Sequence, residues 1–295
     1  MKKIVIAAIM LASIGYAQAD VSLYGKVREY QESYTVGSAS AVTRLTNDTS
    51  RVGIKANQDV GNGMTVSAVV ETGVAMDAPG ATTLGDRIAI VSLSNKLGTV
   101  SAGRDKHPVT RALDNFDALE NTYGTIAPSI HAAQGSRVQN ALFVTSAPVM
   151  GLTANYTMSN SETANVNNTQ AGSIDYTSGP LSVTVARYEA TAANVSTIGG
   201  AKFTLAKTGT TVYGLYSEDT VAGVNSTGKS IGVRQAVSPQ LALVGSYGEN
   251  TAGTSGKAYG VAYSMSKALT LHARYSEITA TTNTKQYGAG LEYNF

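Results

Sequence analysis

Among the side chains able to do chemistry in these 295 residues, the arginines, lysines and carboxylates carry a pattern, and the nucleophiles do not. There is no cysteine, and the three histidines are His107, His131 and His272. Nucleophilic catalysis needs a nucleophile and a base within hydrogen-bond reach. No Ser/His/Asp spacing and no His-x-x-x-His pair occurs, so neither catalysis nor a bound metal or other cofactor is expected. The glycine clusters GNG and GAG lack the strand-to-helix setting of a phosphate cradle. The bases instead fall on one parity. Lys26 and Arg28 alternate with apolar neighbours, as do Arg51 and Lys55, and Arg137, Lys202, Arg234 and Arg274 sit likewise in their own segments. Glu71 and Glu292 are the clearest acids on that parity. Charges gathered on one face of alternating segments line something wet, and their chemistry is the attraction, repulsion and orientation of dissolved charge.

Opposite these bases stands the longest stretch that does not alternate, Gly103 to Arg137. It carries Asp105, Asp114, Asp117 and Glu120, with Lys106 and Arg111 among them, and Arg104 at its entrance. Pro108–Leu119 suits a short helix, because proline is pre-set for a first helical position and Val109, Leu113 and Phe116 recur at helical spacing. Loops this long are uncommon in compact proteins and usually functional. The expectation is that a loop of about 104–136 folds into the space enclosed by the rest. A basic wall facing an acidic loop would set up a transverse field that orients dipolar solutes and separates anions from cations. Any single arginine could also serve only to pair with a carboxylate and hold the loop in place.

The elements that position these charges are strands. From Asp20 the chain alternates, with Val21, Leu23, Gly25 and Val27 on one face and Ser22, Tyr24, Lys26 and Arg28 on the other. Gly61-Asn62-Gly63 is a hairpin turn of the Asn-Gly type, and Met64, Val66, Ala68 and Val70 resume the alternation. In DRIAIVSLSNK both faces are apolar, so its parity is left open. Tight turns fall near positions 62, 97, 149, 179, 208, 238 and 267, with longer polar loops near 42, 79, 120, 165, 193, 223, 253 and 281. Seven turns on one rim and eight loops on the other require sixteen strands, with Asp20 and Phe295 on the short-turn rim. The prolines Pro79, Pro108, Pro128, Pro148, Pro180 and Pro239 all fall in turns or loops, as paired strands demand.

Composition bounds the setting. Lys2 and Lys3, an apolar run over Ile4–Gly15 and Ala17-Gln18-Ala19 read as a secretory signal, residues 1–19, cleaved before Asp20. Without those two lysines, bases and acids balance, which argues against a nucleic-acid partner. An exported chain without cysteine has no disulfide scaffold, and no later run is long and apolar enough for a membrane helix. Thirty glycines and no tryptophan make a thin recipe for a buried core. A barrel with an apolar outside and a wet inside reconciles these facts. The expected fold is all-β: a transmembrane antiparallel β-barrel of 16 strands over residues 20–295, with an inward constriction loop containing a short helix.

Several pieces in order resemble the general porins of Gram-negative bacteria, in the branch typical of β-proteobacteria and Neisseria: Val21–Val27 (VSLYGKV), Ser50–Gly63 (SRVGIKANQDVGNG) with Val69–Glu71, Leu97–Arg104 (LGTVSAGR), Arg137–Asn140 with Ser146–Pro148, and Tyr293-Asn294-Phe295. The resemblance covers the chain from Asp20 onward. It implies a homotrimer set in outer-membrane lipid and lipopolysaccharide that passes ions and small hydrophilic solutes by diffusion. It also implies pore-wall arginines at Arg51, Arg104 and Arg137. The excess of inward bases favours a weak anion preference, which the acidic loop could reverse. The chain is short for the family and lacks tryptophan, so trimmed loops and girdles of Tyr and Phe are expected. A substrate-specific channel is the alternative; an outer-membrane enzyme and a secreted adhesin fit less well.

Overall fold

The computed structural model describes residues 19–78, 83–132, 137–164 and 166–295. The expected signal segment, apart from Ala19, and Pro79 lie outside the described residues. Strand follows strand: β1 (Asp20–Val36), β2 (Val42–Asn47), β3 (Arg51–Gly61), β4 (Met64–Gly73), β5 (Ile88–Asn95), β6 (Gly98–Asp105), β7 (Val138–Ser146), β8 (Leu152–Ser159) and β9 (Thr169–Ser178). The second half runs β10 (Leu181–Thr191), β11 (Asn194–Leu205), β12 (Thr210–Val221), β13 (Val224–Ala236), β14 (Leu241–Asn250), β15 (Ser255–Ser264), β16 (Leu269–Thr279) and β17 (Thr284–Asn294). Neighbours pair antiparallel throughout, and β1 pairs with β17 from Lys26↔Asn294 to Val36↔Thr284, which closes the sheet.

Seventeen segments make sixteen wall positions. β2 pairs with the upper half of β1, and β3 pairs with its lower half, from Lys26↔Arg51 to Asp20↔Asn57. The two are one strand interrupted at Asp48, Thr49 and Ser50, where Thr49 takes a φ of 61°. The interruption leaves the Arg28 backbone N–H without its ladder partner, and the Ser50 hydroxyl accepts it at 2.8 Å. Ser50 is buried for that reason.

All seven tight turns stand where the sequence put them, and both ends of the barrel lie on their rim. On the opposite rim two loops differ from expectation. Thr191 leads to Asn194 and Val221 to Val224 through two-residue turns, because β10 to β13 extend up to them. Polar residues there that read as loop belong to long strands rising above the apolar belt.

The alternation holds outside and in. Val21, Leu23, Ile54, Val91, Leu142, Val185, Ile231 and Leu271 face outward and are exposed, as a lipid-facing surface requires. Tyrosine and phenylalanine replace tryptophan at its edges, with Tyr216, Tyr247, Tyr275 and Tyr287 toward the long-loop rim and Phe203, Tyr263, Tyr293 and Phe295 toward the other. Three of the upper tyrosines donate to the glutamate two residues on: Tyr216 to Glu218 at 3.1 Å, Tyr247 to Glu249 at 3.4 Å and Tyr275 to Glu277 at 3.0 Å. Each ring faces the belt and each hydroxyl meets the polar zone above it.

The protein's small apolar core lies inside the barrel, between wall and loop. Helix α1 (Pro108–Phe116) starts at the expected proline and buries Val109, Leu113 and Phe116 against Ile198, Leu215 and Tyr188. A second short helix, α2 (Ala127–Ile130), was not foreseen; its Ile130 joins Leu119 and Ile126 against Tyr213, Val244 and Ala258. Such close approach needs bare backbone beneath it. A Cβ on Gly200 would stand 2.7 Å from the Phe116 ring, and one on Gly232 would stand 2.6 Å from Ala118. Glycines that read as a weak core in the sequence are the bed on which the loop lies.

Candidate functional site

The loop from Lys106 to Ala132 crosses the lumen and is fastened at several places. The Tyr123 backbone N–H donates to Asp48 Oδ2 at 2.8 Å, and its hydroxyl donates to the buried Glu32 at 2.8 Å. Arg274 reaches in from β16 to Thr122 Oγ1 at 3.0 Å and the Tyr123 carbonyl at 3.3 Å. His131, buried at the far end, meets Ser217 Oγ at 2.9 Å and Ser230 Oγ at 2.8 Å. Burial pushes its imidazole down to about 4, so it docks uncharged. Asp117 also turns inward. Its carboxylate accepts from the Asn121 N–H at 2.9 Å and Thr125 at 2.7 Å. Burial raises its carboxyl while these bonds hold it down. Asp117 therefore shapes the loop and does not face the open lumen, which corrects its place among the expected lining residues.

What the loop leaves open is an aperture with unlike sides. One side carries Lys26 and Arg28 from β1, Arg51 from β3, Arg87 just before β5 and Arg137 just before β7. The other carries Asp114 from α1 and Glu120 from the loop, with Lys106 and, from β11, Lys202 beside them. The bases are held by a smaller number of acids. Glu71 takes Arg87 at 2.8 Å and Arg51 at 3.4 Å. Glu292 takes Lys26 at 2.8 Å and also binds Arg28, whose other partner is Asp48 at 2.9 Å. Among the described residues, no carboxylate lies within ion-pair distance of Arg137. On the loop, Lys106 pairs with Asp114, and Arg111 pairs with Asp105 at 2.6 Å where the loop leaves the wall.

The structure thus brings together Lys26, Arg28, Arg51, Arg137, Asp114 and Glu120 from the expected set. Asp105 and Arg111 form a pair at the root of the loop, and Lys55 faces the lumen nearer the short-turn rim, opposite Ser22. Arg104 does not join them. It shares the outward parity of Val100 and Ala102, and it donates to the Asp86 carbonyl at 2.8 Å and to Gln139 at 2.9 Å. Unbroken alternation does this: β5 pairs in register through Ala89↔Arg104, Asp105 falls on the inward parity, and the extra residue of the bulge lies on β7, where Asn140 takes a φ of 51°. Arg87 takes a place at the aperture that the sequence did not assign. β5 pairs Ile88 with Glu71, so Ile88 takes the inward parity and alternation alone would send Arg87 out; Arg87 stands before the strand and turns in to Glu71 at 2.8 Å. No periodic signal in the sequence marked it.

The chain matches the family described as Gram-negative porin over residues 5–295. The chain belongs to the Gram-negative porin family. This porin is 31% identical over 129 residues to the major outer membrane protein P.IB of Neisseria gonorrhoeae, which is 41% of this chain and 37% of that protein. It is 29% identical over 143 residues to the major outer membrane protein P.IA of Neisseria meningitidis serogroup B, 39% of this chain and 36% of that one. The matches span little more than a third of the length of either relative. Among solved structures, an anion-selective porin from Comamonas acidovorans superposes with a TM-score of 0.81 at 18% identity, over 94% of this chain and all of that one. OmpT of Vibrio cholerae, solved in a trimer form, gives 0.72 at 14% identity over 94% and 99%. The family, the closed sheet and the apolar belt place this porin in the outer membrane, and its fold is that of a channel rather than of a hydrolase.

Proposed function

We propose that this porin is an open, water-filled channel through which ions and small hydrophilic solutes diffuse passively, with a weak preference for anions and no catalytic step. The observation that carries the reading is the aperture, where bases from β1, β3 and the approaches to β5 and β7 outnumber their acids and face Asp114 and Glu120. Selectivity in such pores comes from diameter and from rings of charge. The histidines are all engaged in packing the lumen, and among the described residues no nucleophile is poised beside a base in an open cleft. The Comamonas acidovorans neighbour is itself described as anion-selective.

The working unit is a homotrimer. The apolar belt is broken on the upper half of β1, where Glu29, Gln31 and Ser33 face outward at the level of Leu291, Ala289 and Tyr287. A carboxylate facing lipid is unfavourable, so a protein partner suits this strip better than hydrocarbon does. The OmpT neighbour is described in a trimer form.

Single-channel recording in a planar bilayer tests both statements. Three equal conductance steps and a small reversal potential of anion sign across a salt gradient are expected. Arg137→Gln should move that potential toward cations, whereas Arg104→Gln, on the outer face, should leave it in place. A folded protein that gives no current would refute the open-channel reading.

A further inference from the structure

Beside α1 lies a cleft of about 330 Å³ between the helix and the inner wall of β7 to β11. Its floor is a directed chain of hydrogen bonds. Thr145 donates to the Asn155 carbonyl oxygen at 2.9 Å, and the Asn155 amide donates to Asp175 Oδ2 at 2.6 Å. Ser173, at 3.2 Å, and Thr184 also donate to Asp175. Every donor converges on one carboxylate, so Asp175 is fixed in place by neutral groups. Among the described residues no base comes within ion-pair distance of it. Ser173 and Thr184 are buried beneath it, so the arrangement is built into the wall.

Lys202 lines the same cleft and has the opposite deficiency. Its ammonium has no carboxylate partner among the described residues. It meets only the Asn115 carbonyl at 3.5 Å and the face of the Phe116 ring, 5.6 Å from the centroid. The Phe116 ring beside Lys202 supplies apolar surface to the cleft, and Phe143 lines its far end on β7, beyond Asp175. Asp175 pairs across to Thr184, and Thr184 pairs to Gly200, two residues from Lys202. With strands ~4.8 Å apart and ~3.4 Å per residue, the two Cα atoms stand about 12 Å apart. Their side chains shorten that gap toward the length of a small zwitterion.

We infer that this cleft is a binding subsite for zwitterionic solutes with an apolar side chain, of the class of the free apolar amino acids. Lys202 takes the carboxylate, Asp175 takes the ammonium, and the ring of Phe116 receives the side chain. Lys106, Asn115 and Lys202 line both the aperture and the cleft, so a solute passes from one to the other without leaving their reach. A zwitterion also carries a large dipole, which the unlike sides of the aperture orient before it arrives. The inference rests on the open-channel reading for its physiological sense, but the site can be tested separately.

The test is the block of ion current through reconstituted channels by L-phenylalanine, compared with 3-phenylpropionate, which lacks the ammonium, and phenethylamine, which lacks the carboxylate. Phenylalanine should reach half-block at a concentration at least fivefold below either analogue. Asp175→Asn should raise that concentration about fivefold while leaving the response to 3-phenylpropionate as it was. Lys202→Gln should weaken phenylalanine and 3-phenylpropionate together. Heat-modifiable migration on a gel confirms that each variant has folded, and Asn155→Ala replaces Asp175→Asn if that variant fails. Equal block by the three compounds, or block untouched by either substitution, overturns the site and leaves the channel standing. Should no current appear, saturation-transfer NMR of phenylalanine on the refolded barrel still decides the site: transfer lost in Asp175→Asn upholds it, and no transfer overturns it.

Discussion

Glu71 is the acid on which the aperture's balance turns, because two guanidinium groups from different segments lean on it. Arg87 approaches it at 2.8 Å and Arg51 at 3.4 Å, and Tyr24 donates to it at 3.2 Å. Glu71→Gln keeps the shape and removes one negative charge. An ion passing about 6 Å from that charge feels about 0.7 kcal/mol in water. Salt at ~0.1 M, with a Debye length of ~10 Å, reduces this to about 0.4 kcal/mol. The change opposes a cation and favours an anion by the same amount, so their permeability ratio should move by about 0.8 kcal/mol, roughly fourfold toward anions. The assay is the reversal potential across a salt gradient at two ionic strengths, with the larger shift at low salt. Adding Arg87→Gln should bring the ratio back toward that of the unaltered protein. A ratio that stays put, or moves toward cations, would refute the claim that local charge at this aperture sets selectivity.

Two further outcomes follow from the loop and its entrance. His131 docks neutral with its imidazole near 4, below the ordinary value of 6.5, so the unfolded chain takes up its proton first. Its stabilising effect is whole above pH 6.5 and is lost as pH falls toward 4, by up to about 3 kcal/mol. The temperature at which the compact gel band converts should therefore drop between pH 7.5 and 4.5. His131→Gln, which cannot titrate, should flatten that dependence, and an unchanged slope would count against it. Gly103→Val should prevent a heat-modifiable barrel from forming, because a Cβ there would lie 2.0 Å from the Ala89 carbonyl oxygen at a φ of 131°; normal yields of folded barrel would contradict this.

Period-two patterning, turn residues and the sorting of charge were enough to reveal the barrel, because a wall one strand thick makes every residue choose between lipid and water. The same logic placed Lys26, Arg28, Arg51 and Arg137 at the aperture. It failed where the backbone leaves the ladder. The break at Asp48–Ser50 is such a departure, compensated by one serine hydroxyl. At Arg104, by contrast, alternation through Val100 and Ala102 points outward as the structure does, and it was the family resemblance that set this arginine on the pore wall. Arg87 escaped because it precedes β5: Ile88, opposite Glu71, takes the inward parity, and Arg87 reaches the same acid from outside the ladder. Asp117 looked like its acidic neighbours, and nothing short of the folded loop distinguishes a carboxylate that braces a turn from one that faces water.

The pairing of β1 with β17 bears on how the pore comes into being. Arg28 and Glu292 are 264 positions apart in the chain, yet they share the aperture with Lys26 across that junction. Contacts so distant in sequence are the slowest to form. Until the zipper between the outermost strands shuts, Lys26 lacks its counter-charge, Arg28 keeps only Asp48, and the lumen has no perimeter. Closure of the cylinder and the birth of its ion filter are therefore one event. A half-made sheet is not a leaky version of the pore but has no filter at all.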